Sequence, residues 1–158
     1  MQGFFAGKSA LLWLLLSWAL CSCGLAGDAS GPRNIERRSE VVYEEEDGLQ
    51  GAVRIDSLEW LPFLPFLGSG GLVEVEGVFA GIFVNAADEQ VLIRYDLRFF
   101  DDEDFLIDAF IPFGQPVVLA AGERRLVQGE FLLRAEDARQ ASSLELMRLV
   151  AKVRHVAE

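Results

Sequence analysis

The densest run of side chains with chemistry to offer is Phe99-Phe100-Asp101-Asp102-Glu103-Asp104-Phe105. Its carboxylates are hard oxygen donors of the kind Ca²⁺ takes, and that ion needs about six to eight oxygens converging from several directions. A contiguous acidic run splays its side chains, and this one lacks the alternating acids, glycine and closing glutamate of a helix–loop–helix calcium site. Asp101, Asp102 and Asp104 therefore stand as weak metal candidates, and a hairpin turn with solvated acids is the favoured reading. The single histidine, His155, sits close to the C-terminus without a Cys or His partner, which suits neither a metal site nor a general base. Asp108 and Glu130 could act as an acid–base pair only across a cleft. No glycine-rich phosphate loop precedes a helix. The chemistry of the folded part points to no catalytic residues, no cofactor and no enzyme.

Thiol chemistry is confined to one place. The only cysteines, Cys21 and Cys23, lie two residues apart behind the apolar run Ser9–Leu20. One cation, Lys8, precedes that run, so residues 1–22 read as an export signal. Cys23 has Leu20 at −3 and Ser22 at −1, the pattern of a lipobox, whose peptidase admits only a small residue before the lipid-accepting thiol. The residue at −2, Cys21, departs from the usual Ala, Ser or Thr. Cleavage before Cys23 discards Cys21 and leaves one acylated cysteine, a fitting outcome for an oxidising compartment. A disulfide across one residue is too strained to be the explanation. Cleavage after Ala26 is the alternative, giving a secreted chain, and an uncleaved anchor is a third.

The chain has 158 residues, 51% of them hydrophobic, which is enough for one packed domain. Its formal charge of −11 argues against nucleic acid and against adsorption to anionic headgroups. Residues 23–51, with Gly, Ser, Pro, an Arg patch and the acidic run Glu44–Asp47, read as a flexible tether.

From 52 to 158 the dominant period is two. Val91, Ile93, Tyr95, Leu97 and Phe99 alternate with Leu92, Arg94, Asp96 and Arg98, so one face packs and one is wet. Val73, Val75, Phe79 and Phe83 share a face in the preceding run, whose other face begins charged and turns apolar at Val78, Ile82 and Val84. Such runs, about ten residues apart with turn signals between, predict an all-β antiparallel sandwich of about seven strands, with a short helix near the C-terminus around "RAEDARQA". The segment 60–71, "WLPFLPFLGSGG", breaks the pattern, because prolines three apart exclude a central strand. Its apolar density favours folding over an open end of the sandwich as core. The alternative is an exposed patch for a partner or membrane surface, with Trp60, Phe63 and Phe66 as anchors.

The stretches "VEVEGVFAGIFVNAADEQVLIRYDLRFFDDEDF" and "PVVLAAGERRLVQGEF" resemble the immunoglobulin-like domains of bacterial lipoproteins, of the FxLYD and YcfL-like types. Asn85 opens the polar turn, Leu97, Phe99, Phe100 and Asp101 stand for F-x-L-Y-D, and Leu119, Gly122 and Glu123 stand for L-x-P-G-E with Ala121 replacing Pro. The resemblance covers residues 72–133; the segment 60–71 has no counterpart in it. It implies an immunoglobulin-like sandwich on a lipid anchor in the bacterial envelope, at the outer membrane or the periplasmic face, with no catalytic residues. The expected partners are the membrane, through acyl groups on Cys23, and another envelope protein. A secreted or periplasmic binder of a small ligand or cation is the alternative function.

Overall fold

The computed structural model describes residues 37–156. The expected export signal, Cys23 and the first part of the expected tether lie outside the described residues. Residues 37–156 form a two-layer all-β sandwich built from alternating strands, as the period-two pattern requires.

Nine strands are present among the described residues rather than about seven: β1 (Arg38–Glu45), β2 (Val53–Pro62), β3 (Phe66–Leu67), β4 (Val73–Asn85), β5 (Val91–Phe100), β6 (Leu106–Phe110), β7 (Val117–Leu119), β8 (Arg124–Ala135) and β9 (Leu146–His155). One short helix, α1 (Ala138–Ser142), sits where the sequence places it, with the Asp137 carboxylate accepting from the Gln140 N–H at its start. One sheet runs β1-β9-β5, with β6 and β7 sharing the far side of β5; the other centres on β4, flanked by β8 and by β2 and β3. All pairs are antiparallel except β1 with β9.

That exception corrects the tether. Residues 38–45 are not linker but an edge strand, in continuous register with β9 from Arg38 opposite Leu146 to Glu45 opposite Val153. Leu49, in the turn between β1 and β2, is fully buried in the core. Val41 and Tyr43 pack against the same core because alternation turns them inward while Glu40, Val42 and Glu44 face out. The Tyr43 hydroxyl accepts from the Ile55 N–H at 2.8 Å, tying β1 to β2 across the seam between the sheets.

The core lies between the facing sides of the two sheets. Phe83, Phe99, Ile93, Leu97, Leu133, Met147 and Leu149 are fully buried there. Its aromatic centre is Phe99, with ring centroids 4.7 Å from Phe131 and 5.5 Å from Trp60. Gly77 has no side chain because the Phe131 ring occupies that space and the Leu61 carbonyl lies 2.6 Å from where a Cβ would sit.

The two outer faces differ. On the β9-side sheet, Phe100, Leu146 and Val150 face outward yet are buried; the Arg148 guanidinium lies 4.6 Å over the Phe100 ring, and Arg148 and Lys152 pair with Glu40 and Glu44. The β4-side sheet carries ion pairs of its own, Arg54 and Arg124 with Asp56 and Arg134 with Glu74, yet Val78, Leu126 and Leu132 remain exposed.

Candidate functional site

The acidic run folds as a turn that uses its first carboxylate for itself. Asp101 Oδ1 accepts from the N–H groups of Glu103 and Phe105 at 3.0 and 2.8 Å, and the Asp101 N–H donates to the Phe105 carbonyl. Asp104 takes a left-handed φ of 62° and lies 3.8 Å from Arg38, which also holds Glu145 at 3.1 Å. Asp101, Asp102 and Asp104 therefore do not converge, which corrects them as metal candidates. Among the described residues no cluster of three His, Cys, Asp or Glu is placed to hold a metal ion. Asp108 and Glu130 do not pair across a cleft either. Asp108 accepts from the Ala109 and Arg134 N–H groups, both at 2.8 Å, which closes the β6–β8 seam of the sandwich. Glu130 lies on the outer face of β8, four residues from Arg134 and about 13 Å along the strand. His155 contacts Glu89 at 3.1 Å, at the end of the sandwich where β5 begins.

Three other polar groups are equally spent on the fold. Asn85 is fully buried; its amide donates to the Glu89 and Ala120 carbonyls at 2.7 and 2.9 Å and accepts from the Ala87 N–H at 3.0 Å. It fastens the end of β4 to the turn after β7 in the opposite sheet. Glu123 accepts from the Ala120 N–H at 2.8 Å and from Arg125, which together hold its carboxyl below the usual range. Gln115 supplies a missing strand neighbour. Between β6 and β7 the edge of β5 has a gap at Tyr95, where the Gln115 amide accepts from the Tyr95 N–H at 2.7 Å and donates to its carbonyl. No sequence motif announces Gln115, because its partner is twenty residues away.

The segment 60–71 divides at its first residue. Trp60 belongs to β2, opposite Phe79, and its ring points into the core, with Nε1 donating to the Arg38 carbonyl at 3.0 Å. It is 9% exposed, which corrects it as an interaction anchor. Beyond Pro62 the chain does not fold back as core. Phe66–Leu67 pairs briefly with Glu74 and Val73, and a 3₁₀ turn over Ser69–Gly71, with left-handed Gly70 and Gly71, reverses the chain. Phe63 and Phe66 are half exposed, Leu64 is 88% exposed and Leu67 77%. The two prolines hold the segment extended, so it forms a ridge instead of a lid. Phe105 and Leu106, after the acidic turn, are also exposed.

A shallow concavity of about 490 Å³ lies on the β4-side sheet, lined by side chains of Glu59, Leu61, Val78, Ala80, Gln128 and Glu130. Small Ala80 forms its floor between larger neighbours on β2 and β8. The sequence signal for it was the outward apolar row of β4, where Val78, Ala80, Ile82 and Val84 succeed Glu74 and Glu76.

Comparison with known proteins yields structures only. No family model matches the chain, and no curated protein matches it. Two solved structures are similar in part. A Northeast Structural Genomics Consortium target, SoR45, is 8% identical over 54% of this chain with a TM-score of 0.42; the chain spans 66% of that structure's length. The Campylobacter jejuni protein cj0090 is 15% identical over 74% of this chain and all of its own, with a TM-score of 0.38.

Proposed function

We propose that this chain is a non-catalytic bacterial envelope lipoprotein, acylated at Cys23, whose immunoglobulin-like sandwich serves as a protein-interaction or structural module. The observation that carries the reading is the disposition of functional groups. Of the candidate carboxylates, Asp101 and Asp108 are engaged in the fold's own hydrogen bonds and Asp104 lies against Arg38. Large apolar side chains, by contrast, are left outside on the 63–67 ridge, on the β4-side sheet, at Phe105 and Leu106, and at Ile111 and Phe113 between β6 and β7. The pattern Leu20-Cys21-Ser22-Cys23 supports the anchor. The test is intact mass of the mature protein from a bacterial host. A species beginning at Cys23 with two or three acyl chains, absent from Cys23→Ala, is the expected result, since more than one chain is needed for stable anchoring. An unmodified species beginning at Gly27 would refute it.

A secreted or periplasmic small-ligand binder is the second reading, favoured by the concavity on the β4-side sheet. Glu59 and Glu130 have no ion-pair partner among the described residues and flank an apolar floor, so the matching ligand is a cation with an apolar body. A thermal-shift series with alkylammonium ions and with Ca²⁺ tests it, because a ligand of the folded state raises the midpoint.

A further inference from the structure

We infer that the end of the sandwich bearing the 63–67 ridge docks on the bilayer surface that holds the N-terminal segment. This rests on the proposed anchoring at Cys23. The two ends of the sandwich differ in kind. At one lie the start of β1, the end of β2, the start of β4, the end of β5 and the helix α1; Arg38 touches Trp60, Asp104 and Glu145 there. That end carries Phe63, Leu64, Phe66, Leu67, Leu72, Phe105 and Leu106, all exposed. The opposite end consists of the turns 46–52, 86–90 and 120–123. It displays Glu46, Asp47, Asp88 and Glu89, and no large exposed apolar side chain.

The chain outside the described residues joins the domain at the apolar end, through Arg37 and Arg38. From Cys23 to Arg37 it can span at most about 50 Å fully extended. An anchor at Cys23 thus attaches through this end of the sandwich, with enough reach for it to meet the lipid. Tethering makes the contact intramolecular in effect, so a small apolar surface too weak to bind lipid alone is populated at the high local concentration the tether imposes. Leu64 and Leu67 on a proline-stiffened ridge need no rearrangement to enter the interface. The acidic turn Asp101–Asp104 beside them opposes anionic headgroups, so apolar burial drives the contact and a zwitterionic surface suits it best.

The experiment uses the full chain, processed in a bacterial host and reconstituted into phosphatidylcholine vesicles. Acylation of Cys23 and loss of Cys21 leave no free thiol, so Leu64→Cys and Asp88→Cys can each carry one environment-sensitive fluorophore. Quenching by spin-labelled lipid is then read at each site, and flotation with the vesicles is read separately. The expected result is flotation of both, with at least about threefold stronger quenching at position 64 than at 88, reduced by Phe63→Ser and Phe66→Ser and by anionic lipid. Flotation with equal, weak quenching at both sites overturns the docking and leaves the anchor standing. Loss of flotation overturns the anchor and the docking with it. Shielding of position 64 that appears only in whole-cell membranes, or that rises with protein density, indicates a protein partner or a second copy and also overturns the inference.

Discussion

Gln115 shows how one side chain can stand in for a strand. Its amide presents a donor and an acceptor to the Tyr95 main chain, the same pair of groups a neighbouring residue would offer. Truncation leaves two main-chain groups on the central strand of the sheet without partners. Gln115→Ala should therefore lower stability by about 1–3 kcal/mol in urea titration, with an unchanged slope. The Tyr95 side chain makes a separate prediction. Burial among Phe79 and Phe83 pushes its hydroxyl from the ordinary 10.0 up to about 12. The folded state thus keeps a proton that the unfolded chain releases near 10, so stability is full below pH 10 and declines as pH rises toward 12. Tyr43, raised by the same desolvation, acts in the same direction. Denaturant midpoints measured from pH 9 upward should fall more gently in Tyr95→Phe than in the parent protein.

At the scale of elements, β1 decides where the domain begins. A parallel edge strand joined to β9 along its whole length, with Tyr43 bonded to β2, is protected from proteases as a linker is not. Limited proteolysis should cut ahead of Arg37 and spare 38–51; cleavage within 38–51 under native conditions would mean that β1 is not docked. The same strand closes the fold. With β1 on one seam and the Asp108 bond to β8 on the other, both open sides of the sandwich are stitched by side chains. The ridge is the opposite kind of element. Pro62 and Pro65 have no N–H to give a ladder, so after the Phe63 N–H, which donates to the Glu76 carbonyl at 2.7 Å, pairing lapses until Phe66 and the side chains stay outside the core.

At the scale of the whole molecule, ion pairs stud the outer faces of both sheets, and exposed apolar side chains lie on the ridge, on the β4-side sheet, at Phe105 and Leu106, and at Ile111 and Phe113 between β6 and β7. A net charge of −11 keeps such a molecule soluble in spite of that surface. Replacing Leu64 and Leu67 with Ser should leave thermal stability within about 0.5 kcal/mol of the parent, because neither side chain packs, while lowering self-association measured by light scattering. A drop well beyond that would place the ridge in the core after all.

Alternation by itself determined β2, β4, β5, β6 and β8, and the inward identity of Val75, Phe83, Ile93, Leu97 and Phe99, because period two is a local property of an extended chain, and the acids at Asp101 marked a turn. The run "RAEDARQA" marked the helix α1, and the Asp137 cap was seen only in the structure. Pairing is not local. The sequence of 38–45 is too polar to declare itself a strand; it becomes one only because β9 offers an unpaired edge and Val41 and Tyr43 find the core beneath it. Trp60 and Phe63 look alike in sequence, yet one anchors the aromatic centre and the other faces out. Register with Phe79 reaches Trp60 and stops at Pro62. What the tertiary structure alone decided was which apolar residues the second sheet would cover, and those it leaves uncovered are the ones that point to a partner or a membrane.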